Sequence, residues 1–195
     1  GGPAFGTPEA VLATVAGGDL ARYYGLPYRG GGGLCSANVL DAQAASESLN
    51  SLWATMLSGA DFVLHAAGWL EGGLTASFEK LALDVEILRM FERLRRGIDV
   101  DDEAFAIDAL AEVGPGGMFL AADHTVAHFR ELYMSPLFRS QAYVTWQKQG
   151  AVTAEHAATA LWHKLLESYV DPGLDDAVEA EMDDYVARRR AVLDA

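Results

Sequence analysis

An α/β fold is what this sequence predicts, and three observations predict it. Helix and strand patterns alternate with short connectors over the first half of the chain. Each strand-like run ends in a glycine-rich stretch, and beyond Gly97 only helical patterns recur. Alternation of this kind is produced by successive βα units on a parallel sheet. An eight-stranded barrel needs roughly 250 residues, so if these units belong to a barrel, the chain is its second part.

The elements follow in order. Thr7-Pro8-Glu9 opens a helix, with a hydroxyl at the N-cap, proline at the first helical position and an acid in the first turn. Leu12, Val15, Ala16 and Leu20 recur at helical spacing, and Gly25 supplies the stop. Leu26-Pro27-Tyr28-Arg29 reads as a short strand running into four glycines, Gly30 to Gly33, a loop that lets something approach the backbone. Asp41 caps a second helix to about Ser58, with Leu49, Leu52, Trp53 and Met56 on one side. Phe62-Val63-Leu64 is an apolar run of buried-strand type. A longer helix from about Ser77 to Arg96 carries Phe78, Leu81, Val85, Leu88 and Phe91 on one stripe.

In the second half, residues 101–113, 123–133, 154–169 and 175–193 read as helices, with GPGG at 114–117 as a break. In the last of them, acids come early and Arg188-Arg189-Arg190 late, as the helix dipole favours.

Composition narrows the function classes. With 14 basic against 28 acidic side chains and a net charge of -14, the chain would repel phosphate backbones and anionic lipid, so neither nucleic acid nor a membrane surface is an expected partner. A cationic ligand or a basic protein partner suits it better. Cys35 is the sole cysteine, which excludes an intramolecular disulfide and a multi-cysteine metal site. No run is apolar enough to cross a bilayer and no signal peptide is evident, so a cytoplasmic location is expected. The start GGPAFGTPEA, without an initiator methionine, is expected of a piece of something larger.

Ligand sites in parallel α/β folds gather at the carboxyl ends of strands. Both the glycine run and DFVLHAAGWLEGG, residues 61–73, fall there. The glycine run lacks the Lys-Ser/Thr of a P-loop and the spacing of a dinucleotide site, so a flexible loop lining a ligand, with Gly31, Gly32 and Cys35, is the expectation. Cys35 itself reads more simply as a small buried hydrophobe than as a nucleophile. His124 and His128 have a spacing that can hold a metal, but no third ligand is clear, and no metal site is expected. Trp146, Trp162, Phe119 and Phe129 read as core aromatics of the helical half.

His65, Trp69 and Glu71 have two readings: ordinary packing, or the wall of a pocket for a small cation. An indole face attracts an ammonium by roughly 0.5 to 2 kcal/mol, and a nearby carboxylate adds Coulomb attraction. Tyr28, ending the preceding strand, could form a second aromatic wall.

The stretches YYGLPYRGGGGLCSANVLDAQAASES, DFVLHAAGWLEGGLTASFEKLALDVEIL, EVGPGGMFLAADHTVAHFR and DPGLDDAVEAEMDDYVARRR resemble the trimethylamine methyltransferase family over essentially the whole chain. The resemblance implies the C-terminal part of a (β/α)8 TIM barrel followed by extra helices. Residues 1–98 would be βα units of a partial barrel, and 99–195 a helical part packed on the same domain. It also implies methyl transfer from a quaternary or tertiary amine to the Co(I) of a corrinoid (cobalamin) carried by a separate protein, with no cofactor bound directly. His65 and Trp69 would bind the amine with Tyr28, Arg29 and Glu71, the arginine suiting a betaine carboxylate.

Departures are present: Asn38 stands where the family often carries a lysine, and Met118 precedes Phe-Leu where a histidine is frequent. No pyrrolysine occurs; its place in members that have it falls near the Gly30–Ser36 loop, so a quaternary amine is the implied substrate class. Two alternatives stand beside this reading. A doubly wound S-adenosylmethionine enzyme would want an acid where the strand ends at His65. A non-catalytic cation-binding module would need a missing half or oligomerisation, and a homo-oligomer is expected because a partial barrel exposes strand edges.

Overall fold

The computed structural model describes residues 4–194, which form two compact units, the first ending at Trp162 and the second beginning at His163. Thr7 accepts a hydrogen bond from the Ala10 N–H and starts α1, Pro8–Tyr24, which Gly25 ends in the left-handed conformation (φ 66°). Asp41 likewise caps α2, Ala42–Leu57, and Ser77 caps α3, Phe78–Arg95. These three helices begin and end within a residue or two of where their capping chemistry puts them.

Between α1 and α3 lie short strands: β1 (Arg29–Gly30), β2 (Phe62–Val63), β3 (Trp69–Leu70) and β4 (Thr75–Ala76). β1 and β2 pair in parallel, Arg29 opposite Phe62 and Gly30 opposite Val63, with α2 as the connection. That is the α/β unit the sequence predicts. β3 and β4 form an unexpected antiparallel hairpin closed by a 3-10 turn at Glu71–Gly73. The sheets comprise these two separate pairs among the described residues.

Two expectations for the strands need correction. β1 starts later than Leu26, because Pro27 has no N–H to donate and the Tyr28 N–H is taken by the Asp61 carboxylate at 2.8 Å. β2 is not buried: Phe62 is 60% exposed. Among the described residues β1 is its one strand neighbour, so the apolar run lacks the second cover that such runs have in a closed sheet.

The buried face of α3 is the larger surprise. Its buried residues are Lys80, Asp84, Glu86, Ile87 and Phe91, while Phe78 and Leu81 of the expected stripe are exposed. α3 packs against loop backbone as well as against side chains, and unpaired peptide groups there require polar partners. Ile87 and Phe91 join Leu52 in one apolar cluster, with Leu88 and Phe138 against it; Trp53 meets Phe91 edge to face at 4.8 Å. A second cluster holds Cys35, Ala37, Ala44 and Leu70.

Helices after Gly97 are more broken than their patterns predict. Residues 101–113 divide into α4 (Asp102–Phe105) and α5 (Ile107–Val113) at Ala106, which is left-handed at φ 50°. The Glu103 carbonyl, which a continuous helix would reserve for Ile107, is taken by the Ala106 N–H and by His124. α6 covers only Asp123–His128 of the expected 123–133. Then come α7 (Tyr143–Lys148), α8 (Ala154–Glu167) and, in the second unit, α9 (Asp176–Leu193). Phe119 and Phe129 are 40% and 54% exposed rather than core. Trp146 is half-buried with its indole N–H on the Val152 carbonyl, and Trp162 stacks on Phe78 at 5.2 Å while donating to Glu79 at 2.8 Å. Among the described residues no helix is long and apolar enough to cross a membrane.

Candidate functional site

Where β2 ends, the chain turns through His65 in a left-handed conformation, φ 56°. A non-glycine residue there costs about 1–2 kcal/mol, so packing must hold it. Much of that packing is the glycine run. A Cβ on Gly32 would lie 2.6 Å from Ala66 Cα and closer still to the His65 carbonyl; one on Gly33 would lie 2.7 Å from the Ala66 carbonyl. Gly30 is similarly pressed against Thr55 and Ala60.

This corrects the expectation of a flexible loop. The group that approaches the glycine backbone is the chain's own 65–66 segment, and Gly32 is buried for that reason. In this run only a Cβ on Gly31 would meet nothing within 4 Å, and Gly31 and Gly32 both help line a cavity of about 250 Å³ with Phe5, Val11 and Thr14.

His65 and Trp69 come together. Their rings meet edge to face at 5.6 Å with an interplanar angle of 85°, a favourable arrangement of ring quadrupoles. His65 is exposed and Trp69 half-buried. Trp69 also lines a cavity of about 170 Å³ with Gly68, Ser77, Phe78 and Leu81. Cys35 lies behind this wall, fully buried, its thiol donating to the Trp69 carbonyl at 3.3 Å. Burial pushes that thiol up, with Lys80 pulling the other way, so it stays protonated and serves as packing and as a donor.

The remaining predicted residues are engaged elsewhere or stand apart. Tyr28 donates its hydroxyl to the Thr14 carbonyl at 2.9 Å, and its ring lies against Gly17 of α1. Glu71 is exposed, left-handed at φ 53°, and accepts from Thr75 Oγ1 at 2.8 Å within the β3–β4 hairpin. Its N–H and that of Gly72 donate to the Ala37 and Cys35 carbonyls, tying the hairpin to the glycine loop's exit. Arg29 is exposed, with no ion pair among the described residues.

Sequence reasoning missed the polar knot beneath the site. Lys80 and Asp84 form an ion pair with both side chains 1% exposed. Asp84 accepts from the Gly68 N–H at 2.9 Å, Lys80 donates to Ser48 at 2.8 Å, and Ser48 donates to the Gly33 carbonyl at 2.8 Å. Burial pushes the Asp84 carboxyl up against the opposing pull of Lys80. An available signal was the i, i+4 spacing of Lys80 and Asp84 on α3, but it reads equally as a solvated surface pair. Nearby, Glu86 accepts from the Tyr133 hydroxyl, and partial burial with this carboxylate raises that phenol to about 12.

His124 and His128 stack at 4.4 Å, with His128 placed between Glu131 (3.0 Å) and Glu103 (3.4 Å). Among the described residues no group of three or more His, Cys, Asp or Glu side chains could hold a metal.

Comparison with known proteins gives this geometry its context. The chain is 40% identical over 190 residues to the glycine betaine methyltransferase of Desulfitobacterium hafniense (strain Y51), covering 97% of this chain and 40% of that protein. It is 39% identical over 139 residues to the proline betaine:corrinoid methyltransferase of Eubacterium limosum, covering 70% and 29%. To the trimethylamine methyltransferase MttB of Desulfitobacterium hafniense (strain DSM 10664 / DCB-2) it is 33% identical over 177 residues, covering 91% and 36%. The chain thus spans two fifths or less of the length of these relatives. A sequence model of the family described as trimethylamine methyltransferase (MTTB) matches residues 1–194, and the chain belongs to that family.

Proposed function

We propose that this chain contributes to an enzyme that moves a methyl group from a quaternary amine of the betaine class to the cobalt of a corrinoid carried by a separate protein. The observation that carries the reading is the His65–Trp69 wall beside a cavity of about 170 Å³, in a chain whose relatives include betaine methyltransferases. An apolar cavity of roughly 150 Å³ holds a benzene molecule, so a trimethylammonium head fits this volume. Phe78 and Trp69 line the cavity, and aromatic rings attract a cation.

The chemistry asks little of the protein's acids and bases. A C–N bond breaks, the methyl passes to cobalt, and the amine leaves neutral with the bonding electron pair. The corrinoid is the methyl acceptor and supplies the nucleophile, Co(I). What the chain's residues do is hold the cation against indole and phenyl faces, keep water from it and point one methyl outward. Arg29, exposed at the start of β1, is the residue proposed for the betaine carboxylate, and His65 for the rim of the pocket. Tyr28 and Glu71 would act through the loops they fasten, Tyr28 by its bond to α1 and Glu71 by its bond to Thr75.

The fold reading belongs with this proposal. The parallel β1–β2 pair with α2 as its connection would be one unit of a (β/α)8 barrel, of which this chain would form the C-terminal part. The relatives' greater length supports a partial barrel. Large exposed apolar residues such as Ile98, Val100, Leu120 and Met134 support a homo-oligomer. A clean monomer by light scattering at micromolar concentration would count against it.

The test is calorimetric titration with glycine betaine, proline betaine and trimethylamine, followed by methyl transfer to reduced cobalamin. Binding and demethylation of a betaine support the proposal. Binding without transfer favours a cation-binding module, and no binding of any quaternary amine defeats both readings.

A further inference from the structure

We infer that Lys80, Asp84 and Ser48 are positioning residues for the His65–Trp69 wall: a buried polar knot that sets where both rings stand. The inference rests on the reading of that wall as the amine site. It begins from an energetic oddity. Desolvating two charges is expensive, and a buried ion pair is commonly no more stabilising than apolar residues of the same volume. Lys80 and Asp84 are nevertheless 1% exposed, so something other than bulk stability accounts for their being charged.

Their hydrogen bonds show what that is. Lys80 spends its donors on Asp84, on Ser48 at 2.8 Å and on the Gly33 carbonyl at 3.5 Å. Ser48 adds a second donor to the Gly33 carbonyl at 2.8 Å. Asp84 accepts from the N–H of Gly68 at 2.9 Å. The knot's side-chain bonds to backbone therefore end on two segments: Gly33 in the glycine loop, and Gly68 directly before Trp69.

Those segments in turn bracket the two rings. The Gly32–Gly33 backbone is jammed against the His65 and Ala66 carbonyls, close enough that no side chain could stand between them. Gly68, itself left-handed at φ 89°, sets the direction in which the chain enters Trp69. One cluster must therefore present a donor to a carbonyl on one segment and an acceptor to an amide on the other. No apolar replacement can do both, and a lysine–aspartate pair bridged by serine does.

The test uses the chain itself and reads geometry separately from stability and from binding. The variants are the volume-conserving double substitution Lys80→Met/Asp84→Leu, the milder Ser48→Ala, and Glu86→Gln as control. Glu86 is buried on the same helix but bonds Tyr133 and not the loops. The geometric readout is the NMR shift of the His65 ring protons, which the Trp69 indole displaces and which Trp69→Leu calibrates.

The expected result is that the double variant keeps its helical circular dichroism, while the His65 shift moves toward the Trp69→Leu value. Affinity for glycine betaine should fall roughly tenfold or more, as expected when a binding group is displaced by about an ångström. Glu86→Gln should leave the His65 shift in place. A folded double variant with an unchanged His65 shift overturns the inference. If the double variant does not fold, Ser48→Ala decides alone, since a His65 shift that ignores loss of the Ser48 bond is equally fatal. If the unsubstituted chain binds no quaternary amine, the proposed function fails, while the His65 resonance still reports whether the knot positions the wall.

Discussion

Two stretches of the first unit solve the problem of burial in opposite ways. From Gly30 to Phe91, backbone packs on backbone, and six polar side chains, Ser48, Thr55, Ser58, Lys80, Asp84 and Glu86, are buried beside apolar ones such as Cys35, Leu52, Leu70 and Ile87. From Ile98 to Met134 the order is reversed. Ile98, Val100, Met118, Leu120, Leu132 and Met134 are all at least 70% exposed, and the helices are four to seven residues long. Isolated helices below roughly 12 residues are marginal in water. The first stretch therefore carries its own reasons for its shape, and the second has few.

The comparison can be broken most sharply at the ion pair. Lys80→Met alone strands a buried carboxylate and should cost about 3–5 kcal/mol, whereas adding Asp84→Leu should recover most of that because no charge is left unpaired. Urea midpoints measure both, and equal losses in single and double variants would show that the pair acts through its backbone bonds alone.

Next in size are the glycines. Gly32→Ala drives a methyl into the His65 carbonyl and should cost about 1–3 kcal/mol by overpacking. Gly31→Ala meets nothing within 4 Å and should stay within about 0.5 kcal/mol of the parent. Similar losses at the two positions would mean that the loop is not clamped as described.

In the second stretch the sign should reverse. Ala106 holds φ 50° between α4 and α5, so Ala106→Gly removes a left-handed strain and should stabilise by about 1 kcal/mol. A thermal melt that falls instead would mean that residues 101–113 prefer one continuous helix in solution.

The smallest effect is electrostatic. Its hydrogen bond to Glu131, with further attraction from that carboxylate and Glu103, raises His128 above its ordinary 6.5. A raised folded value means that this contribution is fully present below pH 6.5 and is lost as pH climbs through the folded pKa. An NMR titration should show His128 titrating late and Glu131→Gln moving it back; the effect on stability should be slight because the group is open to water.

Much of this molecule was legible in advance where a local rule applies. Thr7, Asp41 and Ser77 cap their helices because a side-chain oxygen meets a nearby N–H, and that requires no knowledge of the rest of the chain. The parallel βα unit followed from the alternation of strand and helix patterns, and the His65–Trp69 encounter from their nearness in the chain. The exposed face of α3 was misread because helical periodicity assumes that the opposing surface is apolar. The division at Ala106 was missed because the His124 ring that takes the Glu103 carbonyl lies 21 residues away.

What the sequence alone determined, then, was where α1, α2 and α3 start, the strand-helix-strand order from β1 to β2, the family and the pair of rings at the end of β2. What only the tertiary structure decided was which groups those elements would face. Gly32 is tight because the His65 carbonyl lies against it, and Lys80 is buried because Gly33 and Ser48 need its donors. Hydrogen-bond demand from a distant backbone segment leaves no periodic trace in a sequence, so a buried lysine and a surface lysine are spelled alike until the chain has folded.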